Sequence, residues 1–298
     1  MEIYYIDRKT KEKKKEIVAG DKLIKWAYQT TLGRSLSHLL FKRKFLSYLY
    51  GKLQDSPKSK GKIPKFVQSL EIPMTEALLE DLNEYHNFND FFARKLKPEV
   101  RPVVAEPNLL ASPADGRVFA YDNIEVNKVV QVKGLEYSLE ELLGDRKLAE
   151  KYQGGSYYII RLCPADYHRF HFCDYGIPEK SKEIKGYYYS VNPMALKEIP
   201  KLYCQNKREI TLFYSENFGE VLYVEVGAAA VGTIVQTFKP GYKVKKGEEK
   251  GYFKFGGSTV LLFFQKGKVK IDEDILENTK IGLETKVNMG EQIGKLIM

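Results

Sequence analysis

The stretch Gly256-Gly257-Ser258-Thr259 lies between a lysine- and glycine-rich turn, Val244 to Gly251, and an apolar run, Val260 to Phe264. Glycine lets this stretch adopt backbone angles that other residues resist. The serine hydroxyl also follows directly after an unencumbered glycine carbonyl. Taken alone, the four residues predict a tight turn that leads into a strand. Side chains far upstream give the serine a second interpretation.

The chain around this turn has the composition of β-structure. From Leu110 onward, short runs rich in Val, Ile, Tyr and Phe are separated by turn residues at intervals typical of a sandwich or barrel. The predicted strands are Val118–Tyr121, Val129–Val132, Tyr157–Leu162, Phe170–Phe172, Ile184–Tyr189, Ile210–Tyr214, Val221–Val226, Thr233–Thr237 and Val260–Gln265. Leu139–Tyr152 is the one clear helix predicted here. The fold class is therefore α+β, with a mainly antiparallel β-sandwich or barrel over residues 106–298.

A short motif occurs twice near the C-terminus. Lys243-Val244-x-x-Gly247-Glu248-x-x-Gly251 is echoed by Lys286-Val287-x-x-Gly290-Glu291-x-x-Gly294. Lipoyl- and biotinyl-type modules have such hairpins, so two copies suggest lipoyl-like, duplicated and intertwined elements (a barrel-sandwich hybrid). A nine-residue echo also arises by chance, and this alternative stays open.

The first 105 residues are predicted to form a basic, helical, membrane-associating region. Residues 1–60 contain 15 Lys/Arg against 6 Asp/Glu, a net charge of +9 that equals the net charge of the whole 298-residue chain. Asp21 can cap a helix that begins at Lys22, and Gly33 and Gly51 are predicted to bend and end it. Basic and aromatic residues beside a leucine face suit a membrane interface, although packing on the rest of the protein is an equal alternative.

A polar connector over Lys52–Lys62 leads to shorter helices. The predicted segments are Lys65–Leu70, Thr75–Tyr85 with Thr75 as its cap, and a helical turn over Asn87–Arg94 that Pro98 and Pro102 stop.

Composition also excludes several classes of protein. There is no run of about 18 apolar residues, so a spanning helix is not expected. The charged N-terminus lacks the apolar core of a signal peptide. Cys163, Cys173 and Cys204 form no CxxC pair, which argues against a disulfide framework or a zinc site. A reducing, cytoplasm-facing location is the default expectation.

Two further motifs carry chemically active side chains. His168 and His171 lie in Pro164-Ala165-Asp166-Tyr167-His168-Arg169-Phe170-His171, and Asp115 lies in the turn Ser112-Pro113-Ala114-Asp115-Gly116-Arg117. Histidines at spacing three share a face of a helical turn but fall on opposite faces of a strand. Metal ligation is one interpretation, but no cluster elsewhere completes four ligands. A second interpretation is that both histidines have structural roles, one as a capping residue and the other in the core.

Asp, His and Ser side chains can together form an arrangement that activates the serine as a nucleophile. The carboxylate orients an imidazole, which takes the hydroxyl proton and makes the oxygen more nucleophilic. Ser258 does not lie in a G-x-S-x-G turn between strand and helix, as a hydrolase would require. Because it follows a glycine carbonyl on the way into a strand, attack on the chain's own preceding carbonyl is favoured over attack on a substrate.

SPADG, DYHRFH and GGST, in this order and roughly this spacing, resemble the phosphatidylserine decarboxylase family of pyruvoyl-dependent enzymes. Asn87–Pro102 (NFNDFFARKLKPEVRP) resembles the FF-R-L-K-P-x-x-RP stretch of that family, and Val191-Asn192-Pro193 resembles its VNP turn. The resemblance runs from about residue 60 to the C-terminus. Many members have LGST where this chain has GGST, and the cleavable Gly-Ser bond is retained.

The resemblance implies self-cleavage between Gly257 and Ser258 into a large β chain, 1–257, and a small α chain, 258–298. Ser258 Oγ would attack the Gly257 carbonyl, with His171, oriented by Asp115, as the base. The resulting ester would eliminate to dehydroalanine, which hydrolyses to a pyruvoyl group and ammonia. By the same resemblance, His168 lies near the pyruvoyl group, where it would position the carboxylate or reprotonate the carbanion.

The implied reaction converts phosphatidylserine to phosphatidylethanolamine and CO₂. Loss of CO₂ leaves a carbanion that needs an electron sink, which a Schiff base with the pyruvoyl ketone supplies without pyridoxal phosphate or metal. The expected partners are phosphatidylserine in an anionic membrane and the two chains of one cleaved precursor, with a homodimer as an option and no nucleic acid. The expected location is the cytoplasmic face of a bacterial cell membrane, as a peripheral protein.

Three alternatives predict different behaviour. A Ser-His-Asp hydrolase would act on an external ester and remain uncut. A lipoyl-like module without enzymatic activity would bind membrane or polyanions through its basic N-terminal residues 1–60 (the basic arm), with salt-sensitive affinity. The same chemistry could also act on another phosphoserine headgroup.

Overall fold

A computed structural model describes residues 2–18, 30, 51–132, 135–228, 233–256 and 258–297. Over these ranges the chain is mixed α+β, with most of its regular structure in sheets. The strands are β1 (Tyr4–Asp7), β2 (Lys13–Lys15), β3 (Leu109–Ala111), β4 (Gly116–Tyr121), β5 (Val129–Val132), β6 (Leu135–Tyr137), β7 (Ser156–Leu162), β8 (Arg169–His171), β9 (Gly176–Pro178), β10 (Lys182–Ile184), β11 (Arg208–Ser215), β12 (Gly219–Gly227), β13 (Ile234–Gln236), β14 (Glu249–Phe253), β15 (Ser258–Phe264), β16 (Val269–Ile271), β17 (Glu284–Val287) and β18 (Gln292–Leu296).

The helices are short and lie mostly between strands. They are α1 (Ile63–Leu70), α2 (Phe88–Phe92), α3 (Leu139–Leu143), α4 (Arg146–Glu150), α5 (Pro193–Glu198), α6 (Leu202–Gln205) and α7 (Glu273–Lys280). Residues 51–55 are also helical, and 3₁₀ turns cover Pro57–Lys62, Met74–Glu76 and Pro98–Val100. None of the described helices has the length and apolar content needed to cross a membrane.

A ten-stranded sheet forms the centre of the fold. Its order is β10-β11-β12-β15-β7-β4-β17-β1-β2, with β9 beside β11, and over the described residues it does not close into a barrel. The β1–β17 pair is parallel, whereas β15 pairs antiparallel with β12 and with β7. Three smaller sheets, β13-β14-β8, β16-β18-β3 and β5-β6, complete the β-structure.

Strand β15 is buried on both faces, and its side chains enter two different cores. Leu261 and Phe263 pack in one cluster, while Val260, Leu262 and Phe264 pack in the other. Because successive side chains of a strand point to opposite faces, Ser258 shares a face with the second set. Each fully buried side chain of this kind contributes roughly 1.5–3 kcal/mol to folding. The apolar run after the glycine turn therefore fixes Ser258 in the centre of the molecule.

The motif that occurs twice in the sequence forms two turns with the same hydrogen bonds. The side chains of Glu248 and Glu291 each accept from a backbone N–H three residues earlier, at 3.0 Å in both turns. Gly247 and Gly290 have φ angles of +78° and +84°, which side chains other than glycine rarely adopt. Both glycines also pack closely on Val103, where an added Cβ would clash. The sequence echo thus corresponds to a duplicated local structure.

The predicted helices before residue 105 are confirmed in part. Helix α1 covers the predicted Lys65–Leu70, and α2 lies within Asn87–Arg94, with the Asn87 side chain as its cap. The Thr75–Tyr85 helix is wrong, because the backbone of residues 76–78 instead pairs with residues 95–97. Gly51 does not end a helix, since residues 51–55 remain helical. The helix predicted from Lys22 falls in 19–29 and 31–50, outside the described residues.

Eight of the nine predicted strands share at least two residues with an observed strand, whereas Ile184–Tyr189 is wrong because it shares only Ile184 with β10, which ends there. The single helix predicted over Leu139–Tyr152 is two helices. Gly144 ends α3 with a φ angle of +63°, and the Asp145 side chain caps α4. Helices α5 to α7 were not predicted from the sequence.

The hairpin of β1 and β2 was also not predicted. It extends the main sheet through the β1–β17 pair. Just after it, Glu16 forms an ion pair with Arg161 at 2.7 Å, and both side chains are only 3% exposed. Burial alone would raise the pKa of Glu16, but the charge and hydrogen bonds of Arg161, together with Arg117, lower it to about 2. The first residues of the chain are therefore anchored in the β-rich part.

Candidate active site

Ser258 is the first residue of β15, and its side chain is fully buried. It pairs with Gly227 of β12 on one side and with Leu162 of β7 on the other. Gly256, two residues earlier, has a φ angle of +151°, a conformation that glycine alone adopts readily. Gly257 lies outside the described residues. The backbone therefore changes direction at Gly256 and enters the central sheet at Ser258.

His168 is the side chain that contacts Ser258. Its Nδ1 lies 3.1 Å from Ser258 Oγ, and its Nε2 lies 2.9 Å from the carbonyl oxygen of Cys163. A carbonyl only accepts hydrogen bonds, so Nε2 carries the hydrogen and Nδ1 presents its lone pair to the Ser258 hydroxyl. This arrangement suits a group that accepts a proton from Ser258.

Burial keeps the imidazole of His168 neutral. The ring is fully buried and stacks on Phe92, with centroids 3.9 Å apart and an interplanar angle of 26°. Burial lowers the pKa of His168 to about 3, although Asp166 acts in the opposite direction. At neutral pH the lone pair on Nδ1 is therefore available.

The loop that carries His168 is held from several sides. Arg94 donates from Nη2 to the carbonyl oxygens of Ala165 and Asp166, at 3.0 and 3.3 Å. The Asp166 carboxylate accepts from the backbone N–H of Cys163 at 2.7 Å and from Arg117. Because Cys163 also accepts from His168, these contacts fix the orientation of the imidazole.

Among the described residues, the hydrogen bonds of the Asp115 carboxylate go to Arg101 and Met289. Its carboxylate accepts from Nε and Nη2 of Arg101, at 2.9 and 2.7 Å, and from the backbone N–H of Met289, at 2.7 Å. Asp115 therefore anchors one of the two duplicated turns, the one that contains Gly290. The charge of Asp115 still acts on His171, where it opposes the lowering of the pKa by burial, and the prediction that Asp115 orients His171 for cleavage stays a prediction.

His171 anchors the other duplicated turn. Its Nδ1 donates to the carbonyl oxygen of Gly247 at 2.9 Å, and its Nε2 lies 3.2 Å from the Tyr167 hydroxyl. Burial lowers the pKa of His171. His171 is the last residue of β8 and His168 immediately precedes the strand, so at spacing three the two side chains face opposite sides. The structure thus brings His168 to Ser258, while its hydrogen bonds place His171 and Asp115 at the two turns.

Sequence reasoning missed the side chains that support this pair. Phe92 stacks on His168, and Arg94 holds the loop before it. Both belong to the NFNDFFARKLKPEVRP stretch, for which the sequence predicted a helical turn and a family resemblance. Residue spacing alone could not show what this helical turn packs on.

A polar cleft of about 580 Å³ opens beside the His168 loop. Its lining includes Cys163, Tyr167, Arg94, Arg101 and Asp115. Among the residues that the structure describes, no group of three or more His, Cys, Asp or Glu side chains is arranged to hold a metal ion.

Comparisons with known proteins agree on one family. Residues 88–295 match the model of the family described as phosphatidylserine decarboxylase. A phosphatidylserine decarboxylase proenzyme of Clostridium perfringens strain SM101 is 56% identical over 288 residues, which cover 97% of this chain and 98% of the relative. A proenzyme of the same name from Clostridium beijerinckii is 50% identical over 296 residues, covering 99% and 100% of the two chains.

Proposed function

The chain belongs to the phosphatidylserine decarboxylase family, and from this we propose that it decarboxylates phosphatidylserine with a pyruvoyl group made from its own Ser258. The observation that carries the proposal is the buried contact between Ser258 Oγ and His168 Nδ1 at the first residue of a central strand. The hydroxyl of a serine buried in that place is poorly accessible to a substrate. The serine residue itself is well suited to become the N-terminal group of a new chain.

The position of residue 258 fits such a group. If the chain ends at Gly257, residue 258 becomes an N-terminus that the ladders to β12 and β7 still hold. The small chain would contain β15 to β18 and α7, and β17 pairs with β4 of the large chain. Cleavage would therefore leave the two chains joined through shared sheets. When present, the pyruvoyl ketone supplies an electron sink for the electron pair that departing CO₂ leaves behind.

The cleavage step follows from the order of atoms in the chain. Ser258 Oγ bonds to the Gly257 carbonyl carbon, the C–N bond breaks, and the hydroxyl proton passes to the departing amine. Loss of the Ser258 α-proton then releases the Gly257 carboxylate and leaves dehydroalanine. Addition of water releases ammonia and leaves the pyruvoyl group. His168 Nδ1 faces the hydroxyl proton at the start of this sequence.

His171 and Asp115 are proposed to be required for cleavage, as the family resemblance implies. In the described structure each side chain holds one of the duplicated turns, through Gly247 and Met289 respectively. The similarity of the two turns also supports the lipoyl-like description of these hairpins. His168 is proposed to act directly at residue 258 in the mature enzyme, because it already contacts that side chain.

The serine headgroup is proposed to approach through the polar cleft. The cleft reaches Cys163, whose carbonyl holds His168, and it presents Arg101 and Tyr167. A hydrolase acting on an external ester is disfavoured, because Ser258 is fully buried. A binding module without activity would have no use for a buried serine that hydrogen-bonds a neutral imidazole.

The function is tested by following the chain and the reaction together. Intact-mass analysis of purified full-length protein should show two fragments that meet at 257/258, the smaller one beginning with a pyruvoyl group. The same sample should release CO₂ from phosphatidylserine in vesicles and leave phosphatidylethanolamine. An active sample made only of uncut chain would contradict the proposal, and vesicles with other phosphoserine headgroups test substrate choice.

The basic arm is proposed to dock the enzyme peripherally on an anionic membrane, since the acyl chains of the substrate stay in the bilayer. Removal of residues 1–50 would be a poor test, because β1 and β2 belong to the main sheet. Replacing Lys42, Arg43 and Lys44 with glutamine should instead weaken vesicle binding about 100-fold at low salt, at about 1 kcal/mol per charge. Sedimentation with phosphatidylserine vesicles measures this change.

A matched control removes three charges elsewhere. Lys180, Lys182 and Lys185 are exposed in or beside β10, at one end of the main sheet. Glutamine at these positions should leave vesicle binding close to wild type. Equal losses in both triple variants would show that net charge alone governs binding. The loss of vesicle binding caused by replacing Lys42, Arg43 and Lys44 should also be smaller in 0.5 M salt, where screening is strong.

A further inference from the structure

Asn89 is a buried polar residue of α2 whose amide oxygen and nitrogen each make a hydrogen bond. Its side chain is 3% exposed. The Oδ1 atom accepts a hydrogen bond from the backbone N–H of Phe255 at 2.8 Å, and the Nδ2 atom donates to Asp55 Oδ1 at 2.9 Å. Phe255 lies two residues before Gly257. Asn89 therefore ties the backbone just before the cleavage position to the helical part of the chain.

Asp55 provides a second attachment to the same segment. Both of its carboxylate oxygens lie 3.0 Å from Lys254 Nζ. Asp55 thus links Lys254 with Asn89, and two consecutive residues before Gly256 are held by side chains from another part of the chain. The polar connector that contains Asp55 is ordered, because Ser59 accepts a hydrogen bond from the N–H of Phe88, the first residue of α2.

Helix α2 also holds the other half of the reacting pair. Phe255 makes edge contacts with Phe88 and Phe92, at centroid distances of 4.8 and 5.1 Å. Phe92 stacks on His168, which contacts Ser258. One five-residue helix therefore sets the position of the histidine and of the segment before the cleavage position relative to each other.

We propose that Asn89, supported by Asp55, is a positioning residue for self-cleavage. This rests on the cleavage of the Gly257–Ser258 bond proposed above. Asn89 and Asp55 together form a clamp. This clamp holds Lys254 and Phe255 so that the Gly257 carbonyl lies in reach of Ser258 Oγ. Gly256 and Gly257 have no side chains that could restrict this segment, so its position depends on the contacts made upstream.

The effect of losing the clamp falls on the rate of cleavage. Attack of a hydroxyl on a neighbouring carbonyl depends on alignment, and a misplacement of about 1 Å can cost about 100-fold. Asn89→Ala should therefore slow cleavage about 100-fold. The measurement is a time course of full-length precursor made by cell-free synthesis, with the 258–298 fragment followed on denaturing gels and by mass.

Asn87→Ala is the matched control. The Asn87 side chain caps the same helix by accepting from the backbone N–H of Asp90, and among the described hydrogen bonds it has none to the segment before Gly256. Thermal melting reports the stability of each precursor. A clamp predicts slow cleavage for Asn89→Ala alone, whereas equal slowing in both variants would show that only folding of the helix matters and would overturn the proposal.

Exchanging the residue types at Asn89 and Asp55 provides a rescue experiment. General destabilisation of the protein would not produce such a rescue. Asn89→Asp places a carboxylate against Asp55 and should slow cleavage, because the donor in this contact is lost. Adding Asp55→Asn restores a donor and an acceptor across the same contact, keeps the net charge, and leaves an oxygen for the Phe255 N–H. The amide oxygen at position 55 can also accept from Lys254 Nζ in place of the carboxylate. The double variant should recover cleavage to within about threefold of wild type. Failure of this rescue would overturn the clamp.

The outcome for the clamp is separate from the outcome for the function. If wild-type precursor is not cleaved at 257/258, the proposed function fails and the clamp fails with it. If wild type is cleaved and all Asn89 variants are cleaved at the same rate, the function stands and the clamp alone is wrong.

Discussion

Replacement of Ser258 with alanine is expected to give a folded, full-length chain without decarboxylase activity. The hydroxyl is the only atom of residue 258 that can attack the Gly257 carbonyl, and under the proposed function the same residue becomes the pyruvoyl group. Loss of the electron sink removes the chemical basis of the reaction, so activity should fall by at least about 10⁶-fold, to the uncatalysed rate. The fold should survive, since strand β15 keeps its ladders to β12 and β7 through backbone atoms.

The measurement combines intact mass, thermal melting and CO₂ release. Thr259→Val is the matched control, because it removes the neighbouring hydroxyl, which lies on the opposite face of β15. That variant should still be cleaved. A Ser258→Ala chain that is cut at 257/258, or that releases CO₂ above background, would show that the cofactor does not come from this serine.

The parts of the fold that sequence could predict are those that local pattern determines. The apolar run after Ser258 fills both faces of a central strand, so its composition alone indicated a buried strand. Asn87 and Asp145 are capping residues at the starts of α2 and α4, although only the first of these two helices was predicted separately. The repeated Gly-Glu turns could be recognised as repeats because the same backbone conformation requires glycine twice.

The parts that sequence could not predict depend on partners distant in the chain. Lys13–Lys15 has no apolar pattern, yet it forms β2 because β1 pairs with β17 almost 280 residues later. The choice between the two histidines depended on which side of β8 faces Ser258, and spacing does not settle that. Asp115 could have been matched with any nearby cation or imidazole. Only the packed structure shows that Arg101 is its partner.

Replacement of His168 is expected to abolish decarboxylation even in chains that have been cleaved. Among the described residues, His168 Nδ1 is the one side-chain atom within hydrogen-bond distance of Ser258 Oγ. Under the proposed function His168 therefore lies against residue 258 of the cleaved enzyme, where the carboxylate of the substrate must be positioned and the carbanion reprotonated. Positioned proton transfer contributes about 10² to 10⁴-fold, so His168→Ala should lower the rate per cleaved chain by about 10³-fold.

His168→Asn separates this chemistry from packing. Alanine leaves a cavity against Phe92, whereas asparagine fills part of it and keeps a hydrogen-bonding group near Ser258 without an imidazole. Both variants should fail in decarboxylation if proton transfer matters, and only alanine should lower the melting temperature strongly. Activity per cleaved chain within about threefold of wild type in the asparagine variant would exclude His168 from the chemistry.

The same variants decide which histidine serves the cleavage step. The buried imidazole of His168 has its pKa lowered to about 3, so it stays neutral and able to accept the Ser258 proton across the physiological pH range. If His168 accepts that proton, cleavage of His168→Asn slows together with decarboxylation. If His168→Asn is cleaved at the wild-type rate while His171→Ala is not, the cleavage proton belongs to His171, as the family resemblance implies, and His168 acts in decarboxylation alone. In that case His171 Nε2, which carries the lone pair because Nδ1 donates to the Gly247 carbonyl, must exchange its contact with the Tyr167 hydroxyl for one with Ser258 before the bond breaks.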